Sequence, residues 1–198
     1  MYKACKTERS AARQRHIENV LLEMMKKGSY DSITITDLCE VADIPRKAFY
    51  RYFDSKDGAL RGLIEHTMAD FYRSKPEARG PRSLSRELEA FFVFWYDNRD
   101  LIAVLERNNL LGMVVQASTN FPIDNMISLQ RLLPDEEDDA MRVTIFKFAI
   151  GGLMSIMFEW YNGGFRTSVP DIARRAVRIL SKAPFPHLDK IGITDLPI

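Results

Sequence analysis

The chain has 198 residues, 46% of them hydrophobic, and a net charge of +1, which suffices for a folded core and excludes a polycationic or low-complexity protein. Two cysteines, Cys5 and Cys39, are too few for a disulfide framework. The N-terminal residues lack an apolar signal-peptide core, and the longest apolar run, 148–158, is too short to span a bilayer. The sequence therefore predicts a cytoplasmic protein without a membrane partner.

The first predicted element is a helix over residues 10–27, preceded by a flexible arm over residues 1–9. Ile17, Leu21 and Met25 recur at helical spacing, and Gly28 is a typical residue for the helix end. Residues 1–75 carry 14 Lys and Arg against 11 Asp and Glu, a local excess that suits a polyanionic partner. Arg13 and Arg15 are equally compatible with phosphate contact and with ordinary solvated charge.

Residues 33–57 predict two short helices joined by a tight turn. Thr34 is a candidate N-cap with Asp37 three residues later, and Leu38, Cys39 and Ala42 continue an apolar stripe. Asp43 stands where such a turn needs a residue that tolerates positive φ, and a second helix can begin at Pro45. An aromatic inner side and a cationic outer side then predict a helix-turn-helix. The inner pair is Phe49 and Phe53.

The first turn of the second short helix is the predicted base-reading surface, because bases are read in the major groove from the start of such a helix. Arg46 and Lys47 can donate to guanine, and Ala48 can contact a thymine methyl group. Pro45 completes this exposed turn.

The remaining elements are also predicted to be helical, which makes the fold all-α. Ser55 opens a helix to Ser74, residues 75–82 form a linker, and residues 83–98 form an aromatic-rich helix. Further helices are predicted over residues 101–111, in parts of 112–133, from the acidic run 135–139 to Tyr161, and from Ser168 to Lys182. Residues 183–198 are predicted to be an extended tail.

The motif Thr34–Cys39, then Phe49–Tyr50–Arg51–Tyr52–Phe53, then Ser55–Lys56 and Leu60 resembles the DNA-binding motif of the TetR family of bacterial transcriptional regulators. The resemblance implies a helix-turn-helix domain over 10–54 and a helical ligand-binding and dimerisation domain over 55–182. It further implies that Thr36 faces bases, whereas Thr34, Tyr50, Tyr52 and Lys56 grip phosphates. Cys39, Asp43 and Pro45 depart from the common Ala, Gly and Ser of the family, and all three are compatible with the geometry.

The last two predicted helices resemble those through which the family forms a homodimer. One side of residues 135–161 must pack within the subunit, and Gly151–Gly152 allows close approach of a partner. The predicted dimer residues are Gly151, Gly152, Met154, Ser155, Phe158, Ile172, Ala176 and Ile179. The alternative is that these residues form an entirely intramolecular core.

Apolar and aromatic residues provide candidate walls for a small-molecule effector pocket, because such pockets are mostly apolar. The predicted pocket residues are Met68, Phe71, Phe91, Phe94, Trp95, Leu105, Met113 and Phe148. Plain core packing is the alternative for each of them. Segments 96–105 and 151–164 also resemble a subtype that includes regulators of sugar-kinase operons, dihydroxyacetone kinase among them.

The sequence thus predicts a homodimeric repressor that binds double-stranded DNA at a palindromic operator and responds to an unidentified small-molecule effector. The alternative is a helical interaction or sensor protein that has lost sequence-specific DNA binding. An enzyme is not expected, because the chain has no P-loop or nucleophile motif and His16, His66 and His187 lack metal-ligand spacing. No metal or cofactor is predicted.

Overall fold

The computed structural model describes residues 2–74, 83–120 and 139–181, and its regular elements in these ranges are helical. The helices are α1 (Glu8–Lys27), α2 (Ile35–Val41), α3 (Arg46–Phe49), α4 (Lys56–Ser74), α5 (Leu84–Asp97), α6 (Arg99–Arg107), α7 (Leu111–Asn120), α8 (Asp139–Asn162) and α9 (Val169–Leu180), with a 3₁₀ turn over Tyr30–Ser32. The all-α prediction is confirmed. Several predicted segments lie outside the described residues. These are the linker 75–82, the elements in 121–133, the start of the long helix within 134–138, and the tail 183–198.

Two compact units make up the chain, one from Met1–Arg79 with Asp97–Ile127 and one from Gly80–Tyr96 with Ser128–Ile198. This division differs from the predicted boundary between residues 54 and 55. The reason is that α4 packs against both α1 and α7, so it shares a core with the helix-turn-helix.

The first helix begins two residues earlier than predicted because Thr7 caps it. The Thr7 hydroxyl accepts from the Ser10 backbone N–H, and the Ser10 hydroxyl accepts from the Thr7 backbone N–H. The two bonds together form a capping box. The helix ends at Gly28, whose N–H donates to the Met24 carbonyl at 3.0 Å. Ile17, Leu21 and Met25 lie on its fully buried side.

The sequence predicts that residues 1–9 are a flexible arm, but in the structure Tyr2 and Lys3 contact the end of the helix-turn-helix. Tyr2 forms an isolated antiparallel bridge with Phe53, and the Lys3 backbone N–H donates to the Tyr52 carbonyl at 2.8 Å. The Lys3 ammonium donates to the Tyr50 carbonyl at 2.9 Å, and Gln14 Nε2 donates to the Lys3 carbonyl at 3.0 Å. The arm is therefore tied to the segment that ends the helix-turn-helix.

The turn between α2 and α3 has the geometry that the sequence predicts. Asp43 has φ of 51°, in the left-handed region that only a few residue types tolerate. His16 Nε2, on α1, lies 3.1 Å from the Ala42 carbonyl at the end of α2 and donates to it. This bond satisfies one of the carbonyls that a helix end leaves without an intrahelical partner.

We expect Asp43→Val to lower the free energy of unfolding by ~1–2 kcal/mol, because a β-branched residue is strained in the left-handed region. Asp43→Gly should stay within ~0.5 kcal/mol of wild type or exceed it, because glycine has no such strain. Urea denaturation measures both. As a control, Glu40→Gly in α2 should be destabilising by ~1 kcal/mol. An Asp43→Gly protein that lost as much as Asp43→Val would contradict this account.

The 3₁₀ turn before α2 is held by residues of two other helices. The Tyr30 N–H donates to Asn108 Oδ1 at 2.7 Å, and its phenol donates to Asp57 Oδ1 at 2.5 Å. Burial, and then the bond to Asp57, raise the pKa of this phenol. The Arg107 guanidinium donates to the carbonyls of Met25 and of the residue after it at 2.6 and 3.0 Å, which caps the C-terminus of α1.

A buried carboxylate joins α1 to α4. Glu18 is fully buried, and its two oxygens lie 2.8 and 3.0 Å from His66 Nδ1. Arg15 NH1 lies 3.7 Å from Glu18, while its NH2 donates to Asp70 at 2.6 Å. The helices approach closely at Gly62, where an added Cβ would lie 2.7 Å from Glu18 Oε1. This polar network replaces apolar packing at the centre of the α1–α4 contact.

The helix expected over residues 101–111 is shorter in the structure, because α6 ends at Arg107 and α7 begins only at Leu111. Asn109 adopts φ of 57°, which ends α6, and the Leu110 N–H donates to the Leu105 carbonyl at 2.8 Å. The break places Asn108 at the end of α6, where its amide is free to reach Tyr30.

An aromatic cluster organises the described part of the second unit. Trp160 on α8 contacts Phe92 on α5 and Phe165 after α8, with ring centroids 5.6 and 4.7 Å apart. Its indole N–H donates to the Thr167 carbonyl at 2.8 Å. The predicted end of the long helix is confirmed, since Gly164 has φ of 70° directly after it. Ser168 accepts from the Asp171 N–H and caps α9.

Candidate nucleic-acid interface

The predicted base-reading residues lie together on one exposed surface at the start of α3. Pro45, Arg46 and Lys47 are exposed and Ala48 is half-buried, whereas Phe49 is fully buried beneath them. A short helix can present its first turn in this way only if its opposite side is anchored, and the Phe49–Phe53 ring contact at 5.4 Å supplies the anchor. The surface has the size and cationic character that fit a major groove.

Thr36 on α2 belongs to the same surface. It lines a groove of about 310 Å³ with Arg46, Pro45, Asp43 and the buried Cys39. Burial raises the pKa of the Cys39 thiol, which keeps the thiol neutral at the floor of the groove. Thr36 is therefore positioned beside Arg46.

Thr34 is an N-cap in the structure, and the predicted capping box is confirmed. Its hydroxyl donates to Asp37 Oδ2 at 2.7 Å and accepts from the Asp37 N–H at 3.1 Å. The hydrogen bond from the Thr34 hydroxyl, followed by that from its backbone, lowers the pKa of Asp37. The single hydroxyl proton of Thr34 is already donated to Asp37. A hydrogen bond from this hydroxyl to a DNA phosphate would therefore have to share that proton between Asp37 and the phosphate.

Tyr50 and Tyr52 differ in their surroundings. Tyr50 is 41% exposed and its ring meets the buried Phe49 edge-on at 5.4 Å, so its phenol is available at the surface. Tyr52 is half-buried and lies beside Phe53, with ring centroids 6.4 Å apart. Both positions remain compatible with phosphate contact through the phenol.

Lys56 has a structural role that its motif position did not indicate. Its ammonium donates to the carbonyls of Tyr30 and Ile33 at 2.6 and 2.8 Å and lies 4.1 Å from the centroid of the Tyr30 ring. An ammonium has three donor hydrogens, so these two bonds leave one for a phosphate. Local sequence spacing could not show this role, since Tyr30 is 26 positions away.

The predicted pocket residues are divided between the two compact units. Met68, Phe71, Leu105 and Met113 belong to the first compact unit, whereas Phe91, Phe94, Trp95 and Phe148 belong to the second. Met68, Leu105 and Trp95 are buried core residues. Phe148 is 71% exposed, so the described residues do not enclose it in a pocket.

The predicted dimer residues separate into two groups. Met154, Ile172 and Ala176 are buried within the protomer and are corrected to core residues, because each faces the other helices of its own unit. Gly152, Ser155 and Ile179 are exposed, and Gly151 and Phe158 are half-buried. A Cβ added at Gly151 or Gly152 would meet no atom within 4 Å, so both face open space.

A cavity of about 420 Å³ lies between the end of α8 and α9. Trp160 and Ile172 contribute its apolar surface, and Glu159, Arg166 and Arg175 contribute charge. It contains none of the eight predicted pocket residues. Sequence reasoning missed this cavity because the loop after α8 folds back onto α9.

By length and composition alone, α8 could cross a membrane, with a mean hydropathy of 1.5 over its most apolar window. Core helices of helical domains pass the same test. Phe146, Ile150, Leu153 and Met157 form a buried side of α8, which accounts for much of its apolar content. The helix is therefore not evidence of a membrane protein.

The site has the features of a helix-turn-helix DNA-binding protein. A capped short helix, which packs on the longer α1, is followed by a left-handed turn and by a second short helix with exposed cations. Residues 19–62 match the family described as "Bacterial regulatory proteins, tetR family". The helix-turn-helix segment of the chain is therefore similar to this family of bacterial regulatory proteins.

One relative and several solved structures extend this similarity. Over 118 residues the chain is 25% identical to the HTH-type dhaKLM operon transcriptional activator DhaS of Lactococcus lactis subsp. lactis (strain IL1403), and the alignment covers 54% of this chain and 63% of that protein. A structure of the dihydroxyacetone kinase operon activator DhaS covers 85% of this chain and 94% of its own, with 18% identity and a TM-score of 0.56. A TetR transcriptional regulator from Streptococcus agalactiae 2603V covers 87% and 95%, with 16% identity and a TM-score of 0.58. Both of these structures share the fold of this chain.

Proposed function

We propose that the chain acts as a homodimer that reads a palindromic operator through α3 and is released from it by a small-molecule effector. The observation that carries the proposal is the exposed first turn of α3, where Arg46 and Lys47 project beside Thr36 above a fixed aromatic core. Two cations on a pre-formed helix can donate to guanine edges in the major groove.

Arg46→Ala and Lys47→Ala are each expected to weaken operator binding by ~1–3 kcal/mol, because each removes a base contact. Binding to random duplex should change much less, because random duplex is held mainly through phosphates. Fluorescence anisotropy at one stated salt concentration measures both affinities. Equal losses on operator and on random DNA would reassign both side chains to phosphate contacts.

A homodimer is proposed because one short helix reads too few base pairs for useful specificity, whereas a two-fold dimer reads two half-sites. The candidate surface is the exposed side of α8. Met141, Phe148, Gly152 and Ser155 recur at helical spacing on it, opposite the buried side. Ile179, 46% exposed, adds an apolar residue from α9. Exposed apolar patches of this kind mark interaction sites.

The effector is proposed to act through the helices that touch the DNA-binding head. Both α4 and α6 contact it, α4 through His66 and Lys56, and α6 through Arg107 and Asn108. A ligand that binds two positions of these helices with different affinity would change the spacing of the two recognition helices. This requires a ligand-linked change in DNA affinity, and a ligand that raised thermal stability without changing DNA affinity would contradict it.

Repression is the proposed sign of regulation, although the relative DhaS is named an activator. Transcription from an operator-bearing template, with and without the protein, decides between the two. A fall in transcript is expected. A rise in transcript would replace repression with activation and leave the DNA-reading surface unaffected.

Selection of binding sites from random duplex DNA at a stated salt concentration tests the proposal as a whole. We expect a palindrome whose half-sites lie about one helical turn, ~34–36 Å, or more apart. Binding that is salt-sensitive but independent of sequence would instead favour a helical interaction protein without sequence-specific DNA binding.

A further inference from the structure

A second groove lies on the other side of α3, between that helix and α1. It has a volume of about 730 Å³ and is distinct from the groove that holds Thr36. Arg13 and His16 line it from α1, Val41 from the end of α2, and Lys47 and Arg51 from α3 and the turn after it. We name it the α1–α3 groove.

The charge of the α1–α3 groove is strongly positive for this molecule. Arg13, Lys47 and Arg51 line it with a single carboxylate, Asp43, and these four side chains together carry a net charge of +2. The entire chain carries only +1. The groove therefore concentrates a cationic excess that the composition of the chain does not reveal.

The groove cations also differ from neighbouring cations in their side-chain contacts within the protein. Among the described residues, the side chains of Arg13, Lys47 and Arg51 make no hydrogen bond or ion pair with a protein group. Arg15, two positions after Arg13 on the same helix, donates to the His66 carbonyl at 3.2 Å and to Asp70 at 2.6 Å. Lys56 is likewise bound to two carbonyls. Arg13 and Arg51 are thus free to take an external anion.

The position of the groove indicates which anion it takes. A helix is ~10–12 Å across and the major groove is ~12 Å wide, so a helix that enters the groove has a phosphate strand along each side. The α1–α3 groove follows one side of α3. Its walls include Val41, which is 60% exposed, so an anion with an apolar flank such as a deoxyribose phosphate fits it. Guanidinium groups bind such phosphates with paired donors.

We propose that the α1–α3 groove holds a backbone phosphate of the operator, gripped by Arg13 and Arg51 outside the base-reading set. The proposal rests on the DNA-binding function proposed above and assigns two phosphate contacts that the family motif does not contain. It also separates Arg13 from Arg15, which the sequence left equivalent.

The test is the salt dependence of DNA binding for Arg13→Ala, Arg51→Ala and the double variant. Affinity is measured from low to physiological salt on the selected operator and on a random duplex of equal length. We expect the double variant to bind both duplexes at least about tenfold more weakly, because it loses charge-assisted contacts to phosphate. The slope of log K against log salt concentration should fall by about one.

Lys27→Ala is the matched control, since Lys27 is an exposed cation on α1 that does not line the groove. It removes the same charge and should leave the slope unchanged. If Arg13→Ala and Arg51→Ala matched Lys27→Ala, the phosphate site would be wrong while the proposed function stood. A wild-type protein that bound no DNA would overturn both.

Titration of the wild-type protein with inorganic phosphate distinguishes a strand phosphate from a small anion. We expect no saturable binding at millimolar concentration, because a single free phosphate lacks the register that α3 provides in the major groove. Stoichiometric binding that Arg13→Ala abolishes would reassign the groove to a free anionic ligand and overturn the proposal.

Discussion

Phe148→Asp is expected to convert the proposed dimer to a monomer at micromolar concentration. Phe148 is the most exposed large apolar side chain in the described residues, at 71%. Burying a phenylalanine contributes ~1.5–3 kcal/mol, and a two-fold interface buries it twice. The substitution should therefore weaken the dimer by at least ~100-fold. Sedimentation velocity over a concentration series measures the change, and operator affinity should fall with it.

Val93→Asp provides the control for Phe148→Asp. Val93 is 45% exposed on α5, in the same compact unit, and lies outside the proposed dimer surface. It introduces the same charge at an apolar position and should leave the oligomeric state unchanged. A wild-type protein that sedimented as a monomer, or a Phe148→Asp protein that remained a dimer, would refute the proposed interface.

Glu18→Ala is expected to lower the free energy of unfolding by ~3–5 kcal/mol, the range for removing one partner of a buried ionic pair. The substitution leaves His66 Nδ1 without its partner and also deletes the carboxylate beside Arg15. Glu18→Gln keeps the volume and an acceptor oxygen, so it should cost less than half as much. Urea denaturation followed by circular dichroism measures both.

Glu23→Ala on the same helix is the reference for Glu18→Ala. Glu23 is exposed and its pair with Lys26, at 2.6 Å, lies at the surface. Surface pairs contribute ~0–1 kcal/mol, so this variant should unfold at nearly the wild-type urea concentration. A Glu18→Ala protein that was no less stable than Glu23→Ala would show that the buried network does not stabilise the α1–α4 contact.

The local features of the head could be predicted because each depends on a few neighbouring residues. The Thr34–Asp37 capping box and the left-handed Asp43 follow from the sequence within ten residues. The burial of Phe49 and Phe53 follows from their spacing and their aromatic character.

The missed features depend on contacts that are distant in sequence. Lys3 and Arg107 reach carbonyls 47 and 82 positions away, and no spacing rule connects such pairs. Periodicity also showed that α8 is apolar on two sides without showing which side faces its own protomer. Met154 was consequently assigned to a partner surface although it is buried within the protomer, and Phe148 to a pocket wall although it is exposed.

The contacts of Arg107 and Asn108 with the end of α1 and with Tyr30 show whether the DNA-binding head of this chain can be treated as a separate module. The DNA-binding head is not formed by one continuous segment of the chain. Two side chains at the end of α6 bind the backbone between α1 and α2, Arg107 at the Met25 carbonyl and Asn108 at the Tyr30 N–H. A chimera that joined residues 2–74 to the effector-sensing helices of another regulator would lack both side chains. Transplanting the operator specificity of this chain therefore requires carrying α6, or rebuilding these two side chains in the recipient.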